Sequence, residues 1–102
     1  MTLENFLKEP WELINPLRAN NIKIELSREI CEDHPLYNIN CEPIAARKDN
    51  DDVLFKIITS SYSYAIVHLT WSGKKEINPV FPRVEFYTDI HNLKEKGLPS
   101  PH

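Results

Sequence analysis

Residues 62–71 read YSYAIVHLTW, the most strand-like stretch of the chain. The stretch contains no Gly or Pro and is rich in aromatic and β-branched side chains, so it predicts a long strand inside a sheet. Successive side chains of a strand point to opposite sides, which divides the stretch into two faces. The apolar face is predicted to lie in the core and consists of Ala65, Val67, Leu69 and Trp71. A functional site is expected on the other, polar-aromatic face, which consists of Tyr62, Tyr64, Ile66, His68 and Thr70.

Further strands are predicted on both sides of this stretch. Residues 44–48 and 53–58 flank a polar turn at 49–52, which is typical of a β-hairpin. The polar residues 59–61 then connect the hairpin to the central strand, and residues 83–87 predict a fourth strand. Together these segments predict an antiparallel meander of three or four strands.

The first third of the chain is predicted to be mainly helical. Helices are expected over residues 2–8 and 27–33, because each segment begins with a Thr or Ser that can cap a helix. Residues 11–17 predict an irregular segment that Trp11 anchors on the core. The alternation in residues 22–26 favours a short strand or an extended lead-in to the second helix.

The length of 102 residues indicates a single domain of the α+β class. Its antiparallel three- or four-stranded meander is expected to have short helices at both ends. Thr88 or Asp89 can cap the last helix, and Gly97 is a suitable residue to end it. The predicted parts are a helical N-terminal part at 1–35, a sheet core at about 43–88, a C-terminal helix at about 89–97 and a tail at 98–102.

The charge distribution is uneven, although the net charge is only -3. Residues 25–52 contain three basic and eight acidic side chains, a net charge of -5, whereas the rest of the chain carries +2. An acidic section disfavours binding to nucleic acid and favours binding to a cationic partner. The alternative interpretation is an acidic surface that is only solvated and binds no partner. The candidate partner-binding residues are Glu29, Glu32, Asp33, Asp49, Asp51 and Asp52.

Membrane and secretory signals are not evident in the sequence. The first residues do not combine a basic region with an apolar one, as a signal peptide does. No apolar run approaches the roughly 20 residues that span a bilayer. We therefore expect a cytoplasmic protein that does not bind membranes.

Cys31, His34 and Cys41 offer the thiolate and imidazole groups that zinc prefers. Zinc sites usually combine two pairs of closely spaced ligands, and no second pair follows this group. A disulfide is not expected in a reducing cytoplasm. With only 2 glycines, the chain also lacks a Gly-rich loop for phosphate. The sequence therefore predicts no metal and no cofactor, and both cysteines are interpreted as small apolar side chains.

His68 is the candidate for acid–base chemistry, provided that a carboxylate orients its ring. The carboxylates considered for this role are Asp51, Asp52, Glu76 and Glu85. The alternative is a structural histidine that Tyr64 or Thr70 satisfies. Arg47 is predicted to pair with Asp51 or Asp52 of the neighbouring turn. The possible site on this face of the sheet comprises Arg47, Tyr64, His68, Thr70 and Glu76.

Several segments resemble a family of small bacterial proteins that often carry the label ADP-ribosyl-(dinitrogen reductase) hydrolase. The resemblance covers about residues 34–88, and its most specific part is VHLTWS at 67–72. The other segments are HPLY at 34–37, IAAR at 44–47, DDVLF at 51–55, SYAI at 63–66, GKKE at 73–76, FP at 81–82 and EFY at 85–87. Members of this family resemble immunity proteins of contact-dependent growth inhibition and related toxin systems.

The resemblance implies two alternative functions. The first is a cytoplasmic immunity protein, not an enzyme, that binds and neutralises a bacterial toxin domain, with a nuclease expected. The second is a small hydrolase that acts on an ADP-ribose-type substrate through His68 and the pair Asp51 and Asp52. The first is favoured, because the sequence offers no obvious nucleophile and no metal cluster beside His68. An aromatic anchor at the interface could be Trp11, whereas Trp71 is assigned to the core.

Overall fold

Five antiparallel strands form one sheet in the part of the chain that the structure describes. The computed structural model describes residues 11–58, 62–75, 78 and 81–97. The strands lie in the sheet in chain order and are β1 (Trp11–Leu13), β2 (Cys41–Arg47), β3 (Asp52–Ile57), β4 (Tyr64–His68) and β5 (Arg83–Tyr87). Helix α1 (Pro16–Glu29) joins β1 to β2, and α2 (Ile90–Asn92) follows β5 and continues as a π-helical segment, Leu93–Gly97.

The α+β class and the antiparallel meander are confirmed, but the sheet has one strand more than predicted. The additional strand is β1, which pairs with β2 through Trp11 opposite Arg47 and Leu13 opposite Ala45. A strand of three residues is too short for a visible alternation, so the sequence indicated an irregular segment there. Trp11 is buried, as expected of an anchor.

Helix α1 replaces the short strand or extended lead-in predicted over residues 22–26, and it ends at Glu29, within the helix predicted over 27–33. The Asn15 side chain caps it by accepting a hydrogen bond from the Arg18 N–H at 2.8 Å, and a proline occupies its first turn. Ile22 and Leu26 lie one turn apart on the buried face of this helix. The intervening apolar residue is exposed, so the spacing that looked like strand alternation is helical.

Strand β4 is an interior strand, as predicted, but it ends at His68. It pairs with β3 on one side and with β5 on the other, so that Val67 lies between Val53 and Val84. The β2–β3 hairpin, strand β5 and the helix capped by Asp89 also agree with the sequence prediction.

Each face of the sheet carries a buried cluster. On one face α1 covers a cluster that includes the predicted core residues Val67 and Leu69. The polar-aromatic face is partly exposed, as expected, because Tyr64 and His68 are only half-buried there. Ile66 of this face is buried in a second cluster with Leu93 of the π-helical segment. The other buried members of this second cluster are Trp11, Ala45, Leu54 and Tyr87.

Three further sequence predictions lie outside the described residues: the helix at 2–8, the connection at 59–61 and the tail at 98–102. Among the helices that the structure does describe, none has the length and apolar character needed to cross a membrane.

Candidate functional site

One end of the sheet collects most of the candidate residues. Strands β2 and β4 end there and β3 and β5 begin there, so that Asp52, His68 and Arg83 lie side by side on adjacent strands. The C-terminal end of helix α1 lies there too, as shown by Glu29 in its last turn, which accepts hydrogen bonds from the backbone just beyond β4. We call this region the Trp71 end, after the residue that it exposes.

Trp71 is exposed, so the prediction that it lies in the core is wrong. Its side chain is 46% exposed, and its φ of 55° lies in the left-handed region that side-chain-bearing residues rarely adopt. The alternation of β4 stops at His68, so the strand pattern no longer determines which way Trp71 points. A left-handed conformation costs of the order of 1 kcal/mol or more for such a residue, so other contacts must hold it.

Two glutamates of α1 supply those contacts. Glu29 is 0% exposed, and its two carboxylate oxygens accept hydrogen bonds from the N–H of Thr70 at 2.9 Å and of Trp71 at 2.7 Å. Glu25, one turn earlier, accepts a hydrogen bond from the Gly73 N–H at 2.9 Å. Gly73 has a φ of 73°, which glycine adopts without strain. Two buried carboxylates therefore fix the backbone of residues 70–73.

The two carboxyl groups have pKa values that are shifted in opposite directions. Burial raises the pKa of Glu29, and a hydrogen bond to Glu25 raises it further. The same hydrogen bond lowers the pKa of Glu25, against the effect of its burial. Two adjacent buried negative charges repel each other, so Glu29 takes up a proton before Glu25 does as the pH falls.

The predicted acidic residues have different environments. Glu32, Asp33 and Asp51 are exposed. Asp51 lies in the β2–β3 turn, and the other two lie in the loop after α1, which His34 ties to the start of β5. The segments that carry these three carboxylates therefore lie at the Trp71 end, whereas the side chain of Glu29 is buried and cannot contact a partner.

Arg47 pairs with an acid of the neighbouring turn, but that acid is Asp49 and not Asp51 or Asp52 as predicted. Its guanidinium donates two hydrogen bonds of 2.8 Å to the carboxylate of Asp49, and it lies over the ring of Trp11. This contact lowers the pKa of Asp49 and raises that of Arg47. Asp49 therefore already has a partner and offers less to an external cation than Asp51 does.

His68 contacts two of the carboxylates that were considered for orienting it. Its Nδ1 is hydrogen-bonded to Asp52, which is half-buried, and its Nε2 lies 3.1 Å from Oε1 of Glu85. The carboxylate of Asp52 therefore already has a hydrogen-bond partner within the sheet. Tyr64 lies half-buried on the same strand, whereas Thr70 lies beyond it and bonds to Glu29. Glu76 lies outside the described residues.

His34 is a structural histidine. It is buried, its Nε2–H donates to the carbonyl oxygen of Pro82 at 2.7 Å, and its Nδ1 accepts from the Leu36 N–H at 3.0 Å. Burial lowers its pKa, and both ring nitrogens are occupied. Cys31 and Cys41 are free thiols, and the described residues contain no group of three or more ligands placed to hold a metal ion.

Cys41 should make the stability sensitive to alkaline pH. Burial raises the pKa of its thiol to about 11, above the ordinary value of 9.0. The neutral thiol therefore favours the folded state below about pH 9, and this contribution is lost as the pH rises towards 11. We expect the free energy of unfolding of the protein to fall by about 2 kcal/mol more than that of Cys41→Ala between pH 8 and pH 10.5.

Urea unfolding at the two pH values measures this difference. Burial also raises the pKa of Tyr87, to about 12, but that residue is common to both proteins and its effect cancels in the comparison. An equal fall in both proteins would contradict the burial of the thiol.

The Trp71 end offers binding groups: an exposed indole, a backbone held in one conformation and several exposed carboxylates. Sequence reasoning missed the exposed Trp71 and the role of Glu25. The available signal was the spacing of Glu25 and Glu29, which repeats that of Ile22 and Leu26 on one helix face.

No family model, curated protein or solved structure matches the chain. Its function therefore has to be inferred from the chemistry of this site.

Proposed function

We propose that the protein is a cytoplasmic immunity protein that binds and neutralises a bacterial toxin domain, with Trp71 at the centre of the toxin-binding surface. The observation that carries the proposal is an exposed tryptophan in the left-handed region, held there by a buried carboxylate. A strained backbone persists only where the surrounding structure determines it, and such places concentrate at ligand-binding sites. Tryptophan is also among the residues that most often dominate binding energy at interfaces.

The acidic section of the chain supports a basic partner. Its exposed carboxylates Glu32, Asp33 and Asp51 lie at the Trp71 end, together with the exposed bases Lys74 and Arg83. A toxin that cleaves nucleic acid needs a basic surface, because it must bind the phosphate backbone. Complementary charge would steer such a toxin to this surface and raise the association rate. The resemblance to immunity proteins points in the same direction.

Replacing Trp71 by alanine is expected to weaken toxin binding by at least about 30-fold, the effect of losing an interface hot spot. The measurement is surface plasmon resonance with each toxin domain found to be encoded beside the gene, together with the survival of cells that produce the toxin that binds. Leu17→Ala is the matched control, because it also truncates a large exposed apolar side chain. Leu17 lies in the first turn of α1, roughly 20 Å along the helix from the Trp71 end.

Charge reversal supplies the second arm of this experiment. Asp51→Lys combined with Glu32→Lys should slow association at low salt and have less effect at high salt. Both positions are exposed, so the unfolding free energy should change by no more than about 0.5 kcal/mol for each. Equal association rates at both salt concentrations would remove the carboxylates from the interface. Failure to bind any toxin domain encoded beside the gene would exclude the immunity function.

The alternative function, a small hydrolase acting on an ADP-ribose-type substrate, has one observation in its favour. His68 is hydrogen-bonded to Asp52, an arrangement that orients a general base. Incubation with an ADP-ribosylated protein, followed by mass spectrometry, tests it directly. The immunity proposal expects no release of ADP-ribose. Release that His68→Ala abolishes would favour the hydrolase instead.

A further inference from the structure

The conformation of Trp71 depends on a side chain that a partner cannot touch. Glu29 is fully buried, yet both of its oxygens bind successive N–H groups, those of Thr70 and Trp71. The two bonds restrain the backbone at Trp71, the residue with a φ of 55°. A buried side chain thus determines the conformation in which the indole is exposed.

We propose that Glu29 is a positioning residue, which holds Trp71 in the conformation that binds the partner. The proposal rests on the proposed function, because it assigns the binding role to Trp71. A partner that binds one conformation has an apparent affinity reduced by the fraction of molecules in that conformation. By keeping this fraction near one, Glu29 increases affinity without a contact of its own.

The chemistry of the two bonds requires a carboxyl group at this position. Each oxygen of a carboxyl group can accept a hydrogen bond, so one side chain serves two adjacent N–H donors. The amide of glutamine has one acceptor oxygen, and its NH2 group would face the second N–H without accepting from it. An unpaired donor and a strained φ then favour other conformations of residues 70–73. Glu25 provides the third bond, to Gly73, and so restrains the far side of the same segment.

Glu29→Gln is the test variant, and Glu32→Gln is its matched control. Both substitutions remove one carboxylate, but Glu32 is exposed in the loop that follows α1. In the free protein, hydrogen exchange measured by NMR should become at least tenfold faster at the Thr70 and Trp71 amides of Glu29→Gln. The Val67 amide in β4 should keep its exchange rate, which separates local release from global unfolding. Glu32→Gln should leave all three rates unchanged.

Binding to the toxin domain supplies the second measurement. Glu29→Gln should weaken binding at least tenfold at protein concentrations and temperatures where it is fully folded. In the Trp71→Ala background the same substitution should have no further effect, since Glu29 acts through Trp71. A general loss of stability would not produce this dependence on Trp71.

The outcomes separate the two proposals. Unchanged exchange at Thr70 and Trp71, or unchanged affinity despite faster exchange, would overturn the positioning role of Glu29. An additive effect in the double variant would overturn it too. Full affinity in Trp71→Ala would instead overturn the proposed binding surface. Should Glu29→Gln fail to fold, Glu25→Gln decides: faster exchange at Gly73 with weaker binding supports positioning by the glutamate pair, and unchanged binding contradicts it.

Discussion

Replacing Phe55 by alanine is expected to lower the free energy of unfolding by about 3 to 5 kcal/mol. Phe55 is 0% exposed in β3, the middle strand, where it lies opposite Pro43 on one side and Ala65 on the other. Removing the ring loses its transfer free energy and leaves a cavity that small neighbours cannot fill. A domain of this size has a total stability of about 5 to 15 kcal/mol, so much of it would be lost.

Urea unfolding followed by circular dichroism measures this effect. Lys56→Ala is the control, because Lys56 is the next residue of the same strand and is exposed. The control should change the unfolding free energy by no more than about 0.5 kcal/mol. A loss below about 1 kcal/mol for Phe55→Ala would contradict its position in the core.

Ile66→Ala and Leu69→Ala are each expected to cost about 2 to 5 kcal/mol. Ile66 is 3% exposed and Leu69 is 4% exposed, and they belong to the clusters on opposite faces of the sheet. A sheet with one wet face would show a large effect only for Leu69. Comparable losses in the two variants would therefore establish that each face carries a buried cluster.

Ile58→Ala is the matched control for the substitution at Ile66. It makes the same chemical change just beyond β3, at a side chain that is 53% exposed. We expect a loss of less than about 1 kcal/mol. A loss at Ile66 as small as that at Ile58 would show that the π-helical segment does not protect this face.

The β part of the fold was predictable because its signals are local. Alternation placed β4 and β5, and the polar cluster at 49–52 marked the hairpin turn, since side-chain period and turn composition depend on neighbouring residues. Helix α1 was missed because three apolar residues at 22, 24 and 26 fit an alternating pattern, while its cap at Asn15 lies far upstream. Strand β1 depends on pairing with β2 and carries almost no pattern of its own.

The candidate site was predictable where it depends on adjacent charges. The turn that pairs with Arg47 was predicted correctly, but the acid within it is Asp49. The carboxylates considered for His68 included both of its partners. The exposure of Trp71 was not predictable in this way. It depends on a hydrogen bond to Glu29, a residue 42 positions earlier in the chain, and no local pattern contains that information.

The bonds that fix residues 70–73 also determine when the Trp71 surface can exist. They join residues separated by 41, 42 and 48 positions, and contacts between such distant residues require long loops to close during folding. During synthesis α1 leaves the ribosome well before the segment that it must hold. A nascent chain therefore cannot hold Trp71 in its left-handed conformation until residues 70–73 have docked on α1. Under the proposed function, neutralisation of a toxin would begin only after this docking, so protection would lag behind synthesis by the folding time of the domain.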